Sequence, residues 1–561
     1  MAVENKKRET IILIAAKLIL FLILPIYLFV RIYFLVTYWL TTSWWLLSLL
    51  VFFAELYFII HISNYPLSLI RSIKYYPRLI DSIVKYEVSR KPIVAIFIPV
   101  YNEPADIVEE TVHAVKNIVY PNKKIYLLDD SDVPQNIEEI KNIAEKYNVC
   151  LMRRTKRIGF KGGCLNDAIS KIECDYVVVF DADQQPEPNF LSELIPILEA
   201  NSDIGYIQTP QLVRKVSEED NNFIEKAASA GQHIFYHYIC EGKATVNAQF
   251  SCGSNVIYRK KALETIKRKE GNRVVYFDEW SVTEDYGTSI LLQEKGWKSF
   301  YYNKTYGKGI VPGSLEAFKA QRKRWAIGTL AVFWRYLPKI LKFPLKQKWE
   351  YIISGTYFLF GIANFIMLVN IVLLLVFDIP IYTLLPFLLF TSSTLLFYYS
   401  QHIRKNSLKD LFYEQILNFI MFPLYIEALL IVFRGRKVEF SVTPKKNFTD
   451  FENKPNLLIQ ELTLLCCLPA FFIGINTFIA TGAYYTLLNL FWISHAIVML
   501  GVGIILIKRQ YSLAIHLRKR ELKLPNLFGE NRYILNRYTT SNWSLYTARN
   551  LKLYSVESNF R

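Results

Sequence analysis

Tyr176-Val177-Val178-Val179-Phe180-Asp181-Ala182-Asp183 is the stretch on which the fold of this chain turns. A short run of β-branched and aromatic residues reads as a strand buried on both faces, Tyr176 to Phe180. It ends in two acids two positions apart, which the period-2 geometry of a strand turns to the same side. Upstream lie an apolar run, Ile93 to Pro99, a helical pattern from Asp106 to Ile118, a second strand pattern, Lys124 to Leu128, and another helical pattern, Ile137 to Tyr147. A further helix is expected after Lys161. This alternation predicts an α/β domain with a mostly parallel sheet, whose ligand site lies at the carboxyl ends of the strands.

The domain does not stand alone. Of 561 residues, 52% are hydrophobic, too many for an ordinary soluble enzyme, while 20% are charged, too many for a pure transporter. Since about 20 apolar residues cross a bilayer core, six spans are expected, near 11–36, 44–62, 351–377, 381–400, 463–483 and 485–507. Lys17 and Arg31 lie towards the ends of the first, where such side chains snorkel. Leu411 to Phe433 is apolar but holds Glu414, Pro423 and Glu427, the pattern of an interfacial helix. Basic clusters at Lys6–Arg8, Arg71–Arg78, Arg434–Lys446 and Lys508–Arg520 then fall on one side, which places both termini and the central region in the cytosol.

The expected organisation is therefore 1–64 with two spans, a cytosolic domain 65–350, spans in 351–400, a cytosolic helix and loop 401–455, spans in 456–508 and a cytosolic tail 509–561. The net charge of +17 is read as membrane-related, from cytoplasmic retention and anionic headgroups, and not as a sign of nucleic acid. Seven cysteines, an odd number without Cys-x-x-Cys spacing, indicate neither a zinc site nor a disulfide framework.

The polar motifs stand at the strand ends. The first strand runs into Pro99-Val100-Tyr101-Asn102-Glu103-Pro104, and the second into Asp129-Asp130-Ser131-Asp132. Together they offer an aromatic ring to stack a base and carboxylates to accept from imide or hydroxyl groups. Taken singly, each is accounted for by turn and cap chemistry. Asp181 and Asp183 are hard oxygen ligands of the kind that hold Mg2+ or Mn2+ across a diphosphate. In Lys161-Gly162-Gly163-Cys164, the glycines allow close backbone approach and Lys161, at a helix start, can meet a phosphate. A P-loop pattern is absent. The run Arg153-Arg154-Thr155-Lys156-Arg157 reads as a solvated face. Further on, Thr283-Glu284-Asp285 offers a carboxylate base, or simply a capping box, and Gln321-Arg322-Lys323-Arg324-Trp325 a guanidinium and an indole, or an interfacial anchor.

In this order the motifs resemble those of the inverting family 2 glycosyltransferases of GT-A fold, and more narrowly the processive branch that includes the bacterial cellulose synthase catalytic subunit. The resemblance extends to Gln208-Thr209-Pro210, to Phe250-Ser251-Cys252-Gly253-Ser254 and to Phe440-Ser441-Val442-Thr443-Pro444-Lys445. It implies that Tyr101, Glu103, Asp129 or Asp130, Lys161, Asp181, Gln321 and Arg324 bind the donor, and that Asp181 and Asp183 hold the metal, Mg2+ or Mn2+. Asp285 would be the base, within the catalytic set Thr283, Glu284 and Asp285. Trp325, Cys252 and Gly253 would meet the acceptor, and Phe440, Val442, Thr443 and Lys445 would form a loop closing over the nucleotide.

The implied activity is polymerisation of a sugar from a nucleotide-sugar donor, UDP-glucose above all, by a multi-pass plasma-membrane enzyme that passes the growing polysaccharide through its own channel. Membrane lipids, and further copies or accessory subunits, would be its partners. Other polysaccharide synthases of mannan, chitin or hyaluronan type, a non-processive lipid-phosphate transferase and an inactive transport or scaffold protein are the alternatives. Two departures stand against the resemblance. Only some 54 residues follow position 507, where the cellulose synthase subunit carries a cyclic-di-GMP-binding PilZ barrel, and the span count is lower.

Overall fold

The structure, a computed structural model, describes residues 2–41, 45–84, 90–213, 222–271, 273–379, 384–435 and 454–521. The central domain is built on a seven-stranded sheet of β1 (Val94–Val100), β2 (Lys123–Asp129), β3 (Cys150–Arg153), β4 (Tyr176–Val179), β5 (Ile204–Gln208), β6 (Val256–Arg259) and β7 (Lys298–Tyr301). Their order across the sheet is β7-β5-β6-β4-β1-β2-β3. All neighbours run parallel except β6, which is antiparallel to both β4 and β5. The expected α/β domain on a mostly parallel sheet is thus present.

The alternating sides of β1 explain its unbroken apolar run. Val94, Ile96, Ile98 and Val100 face a core shared with Val108 and Val112 of helix Ala105–Lys116, Ile140 of helix Pro134–Tyr147 and Leu194 of helix Phe190–Ala200. Ala95 and Phe97 face the other way, onto Leu165 and Ile169 of helix Phe160–Ile169. Burying each such aliphatic or aromatic side chain contributes about 1.5–3 kcal/mol, so both faces must be covered.

Register then sets the site. Val100 pairs with Asp129 and Phe97 with Val179, so the polar segments after β1, β2 and β4 emerge side by side at one edge. Strand β3 was not expected from the sequence. At four residues with a charged end it carries too little periodicity to stand out, yet it pairs with β2 from Tyr126↔Cys150 to Asp129↔Arg153.

Among the described residues, five helices are long and apolar enough to cross a membrane, namely Lys6–Tyr33, Leu49–Lys74, Leu345–Val376, Leu458–Thr481 and Tyr484–Leu513, and the chain is a multi-pass membrane protein. The expected segment 381–400 is covered by helix Leu384–Ile403, which is not among the five. The segment assigned to the interface is instead a bent pair, Leu408–Ile420 and Phe422–Phe433, at 47°, which counts as a sixth span if the two are one. Pro423 sits at the first turn of the second helix, where its missing N–H and fixed φ are tolerated and a continuous helix is not.

Two observations on charges and boundaries add to these expectations. Arg31 does not merely snorkel. Its Nε donates to Glu55 Oε2 at 2.5 Å on the neighbouring helix, an intramembrane pairing that leaves neither charge alone. The expected domain edges near 64 and 350 also fall inside helices, Trp45–Lys74 and Leu345–Thr356. Arg71 and Lys243 both bind the fully buried Glu350, the latter at 3.1 Å, tying these two helices to Cys240–Ala244 beneath the site.

Candidate active site

A cavity of about 1080 Å³ opens at the sheet edge where β4, β1 and β2 end. Tyr101, Glu103, Asp130, Lys161, Asp181, Asp183, Cys252, Gly253, Thr283, Glu284, Asp285, Gln321, Arg324 and Trp325 all line it, although they span more than 220 positions of the chain. It continues to His61 and Tyr65 of the second membrane helix and to Tyr357 and Phe358.

The part of the cavity around Tyr101 is cross-linked between two loops. Asn102, at φ 58°, takes the left-handed conformation that Asn tolerates better than most residues. Its Oδ1 accepts from the backbone N–H groups of Asp132 and Val133, and its Nδ2 donates to Asp132 Oδ1 at 2.6 Å. Tyr101 donates its hydroxyl to Asp132 Oδ2 at 2.9 Å, and Glu103 accepts the Tyr101 N–H at 2.5 Å.

Asp129 and Asp130, equivalent in the sequence, part here. Asp129 is 1% exposed and turned to Arg153 and to the Ser131 N–H, whereas Asp130 lines the cavity. Arg154 grips Asp130 with two bonds, Nε to Oδ1 at 2.8 Å and Nη2 to Oδ2 at 2.6 Å, and also donates to the Ile158 and Phe160 carbonyls. The run from Arg153 to Arg157 is thus exposed at Arg153, Thr155, Lys156 and Arg157, as expected, but it also carries the pairing of Arg153 and Arg154 with Asp129 and Asp130. Its signal in the sequence was the repeat of Asp-Asp and Arg-Arg at two strand ends, which adjacent parallel pairing places side by side.

Lys161 stands at the centre of the acids. Its Nζ donates to Asp181 Oδ1 at 2.5 Å and to Gly253 O at 2.7 Å, and lies 3.7 Å from Glu284 Oε1. Burial works against its charge, but Asp181, Glu284 and Asp285 outweigh that and hold it above the ordinary lysine range. Helix Phe160–Ile169 comes this near because Gly162 has no side chain; a Cβ there would lie 3.0 Å from Glu284 Cβ.

Thr283-Glu284-Asp285 opens helix Glu284–Glu294, with Thr283 at the cap position but making no side-chain capping bond. Asp285 Oδ1 accepts from the Tyr286 N–H at 2.8 Å. Burial, then the neighbouring Glu284 charge, push the Asp285 carboxyl up to about 7, against the pull of Lys161. Glu284 is raised as well, by burial first. Gly253, at φ +81°, faces Asp285, and a Cβ on it would stand 3.0 Å from Asp285 Oδ2.

The Phe250–Ser254 loop is carried from β5. Gln208 accepts the Cys252 N–H at 2.8 Å and donates to the Ser254 carbonyl at 2.9 Å, while Ser254 Oγ accepts the Asp181 N–H at 2.8 Å. Gln211, not singled out in the sequence, donates to the Cys252 and Ser254 carbonyls, so one small network supports Cys252 and, through Ser254, Asp181. Gln321, Arg324 and Trp325 lie on one long helix, Leu315–Ile340, with Arg322 stacked 5.1 Å from the Trp325 ring.

Among the described residues no group of three or more His, Cys, Asp or Glu side chains forms a metal cage. Asp181 and Asp183 offer hard oxygens at one strand end, and an ammonium already sits against Asp181. That donor set fits a divalent cation whose remaining ligands come from phosphate and water. His233 and His237 lie within bonding distance at 3.2 Å, and His237 bonds to Asn303; they belong to no such group among the described residues. All seven cysteines are free. Phe440, Val442, Thr443 and Lys445 lie outside the described residues.

Residues 176–400 match the family model described as glycosyl transferase family group 2. The chain is 31% identical to the UDP-forming cellulose synthase 1 catalytic subunit of Komagataeibacter xylinus, over 50% of this chain and 36% of that protein. It is 26% identical to the UDP-forming cellulose synthase catalytic subunit of Pseudomonas fluorescens (strain SBW25), over 75% and 57%. It is 24% identical to the probable glucomannan 4-beta-mannosyltransferase 1 of Arabidopsis thaliana, over 56% and 58%. The matches thus span between 36% and 58% of the length of these relatives.

Proposed function

We propose that this chain is an inverting, processive β-hexosyltransferase of the family 2, cellulose synthase-like kind, a reading supported by the family-model match over residues 176–400 and by the cellulose synthase relatives. It takes sugar from a nucleotide-sugar donor, UDP-glucose first, on the cytosolic side of the plasma membrane and passes a β-1,4-glucan between its own membrane helices. The observation that carries this reading is the single cavity. Its lining brings strand-end acids, Asp285 and Trp325 together with residues of membrane helices.

The reaction is a single displacement. Asp285 takes the proton of an acceptor hydroxyl, and that oxygen attacks the anomeric carbon as the bond to the diphosphate oxygen breaks, so an α-linked donor yields a β-linked product. A carboxyl with its pKa near the working pH suits a base that must accept and then release a proton. Lys161 and Arg324 offer positive charge to the departing diphosphate. Mg2+ or Mn2+, held by Asp181 and Asp183, would neutralise diphosphate charge when bound. Trp325 offers a flat apolar face to the terminal sugar of the acceptor. Phe440 to Lys445 would close over the bound nucleotide.

Incubating the chain in lipid nanodiscs with a panel of UDP- and GDP-sugars and Mn2+ or Mg2+ tests this, with products digested by linkage-specific glycosidases. A β-linked polymer from UDP-glucose is expected. GDP-mannose belongs in the panel because one relative is a mannosyltransferase by name. Transfer of a single sugar to lipid, or none from any donor, would overturn the reading.

A further inference from the structure

The three arginines between β3 and helix Phe160–Ile169 have different tasks. Arg153 is committed to Asp129, and Arg154, with its side chain 7% exposed, to Asp130 and two backbone carbonyls. Arg157 has no such commitment. Its side chain is 34% exposed and meets Asp132, itself 57% exposed, through one bond of 3.2 Å. An ion pair this open to water is weak. What the guanidinium does have is a face. Its central carbon lies over the Tyr101 ring, 3.5 Å from the centroid, and it lines the cavity with Tyr101 and Asp130.

We propose that Arg157 is the movable wall of a nucleobase clamp whose fixed wall is Tyr101, the base of the donor entering between ring and guanidinium. The inference rests on the donor reading above and adds a specificity residue to it. The fixed wall is rigid, because Asn102 ties the turn after β1 to the loop after β2 through four hydrogen bonds. The movable wall is free to lift. Asp132 keeps its bonds from Asn102 Nδ2 and the Tyr101 hydroxyl when the guanidinium leaves it, so no carboxylate is stranded. A planar cation stacks on any base and donates to ring carbonyl oxygens, which an ammonium on a flexible stem does with less definition. Before the donor arrives, the guanidinium keeps the ring face covered.

Equilibrium binding of UDP, uridine and inorganic pyrophosphate to the full chain in nanodiscs tests this for the wild type, Arg157→Ala and Arg157→Lys. Arg157→Ala is expected to weaken UDP and uridine alike by roughly five- to hundredfold, with pyrophosphate unchanged and Arg157→Lys restoring only part. Uridine binding unchanged or tightened in Arg157→Ala overturns the clamp, and so does a loss confined to pyrophosphate, which would mark a phosphate grip. Should Arg157→Ala misfold, Arg157→Lys decides alone: uridine affinity equal to that of the wild type rejects the planar wall. A wild type that binds no UDP overturns the donor reading, and the clamp with it.

Discussion

Gly328 lies directly against Thr283. A Cβ added to Gly328 would stand 2.5 Å from Thr283 Cγ2 and 2.7 Å from its Oγ1. Gly328 sits on helix Leu315–Ile340, one turn beyond Arg324 and Trp325, and Thr283 immediately precedes Glu284 and Asp285. The contact therefore sets how close the indole and the guanidinium stand to the two acids. Gly328→Ala is expected to lower kcat at least about tenfold, since small misplacements of reacting groups are costly. Adding Thr283→Ala, which removes both close atoms, should restore part of it, and the double-mutant cycle measured on kcat reads the coupling.

Asp285→Asn keeps the size and the Tyr286 hydrogen bond but removes the proton acceptor. Transfer should fall about 10²- to 10⁴-fold, while UDP binding stays within a fewfold of wild type. Normal turnover would take the base role away from Asp285.

The pH profile follows from the same carboxyl. Its pKa is raised to about 7, so the base is progressively protonated as pH falls through 7. Transfer should therefore rise on going from pH 6 to 8 and level off above. Glu284 contributes to the upward shift, so Glu284→Gln should move the acid limb to lower pH. A kcat profile against pH for both proteins checks the sign.

Chelation with EDTA should stop transfer, and added Mn2+ or Mg2+ should restore it. Asp183→Asn should raise the metal concentration needed for half-maximal activity. Full activity in EDTA would remove the metal from the reaction.

Trp325→Ala should shorten products and raise the KM for an oligosaccharide acceptor, leaving slow donor hydrolysis within a fewfold. One stacked ring is worth about 0.5–1.5 kcal/mol beyond the area it buries. Chain-length analysis against UDP release separates the two.

The sequence by itself determined three strands, the helices between them and the chemistry at the strand ends. Apolar runs that end in acids, as at Tyr176–Asp183, state that a strand is buried and where it meets polar surroundings, because side-chain period and solvation are local. The glycines beside Lys161 and the acids of Thr283-Glu284-Asp285 were legible for the same reason.

Only the tertiary structure decided what each of those groups touches. Asp129 and Asp130 are neighbours with identical side chains, and pairing of β2 with β3 alone turns one to Arg153 and the other to the cavity. The antiparallel β6, the Arg31–Glu55 pair between membrane helices, Arg157 over Tyr101 and Gly328 under Thr283 likewise join positions distant in the chain. Local periodicity carries no information about such partners, since they are selected by packing and charge pairing only once the chain has closed on itself.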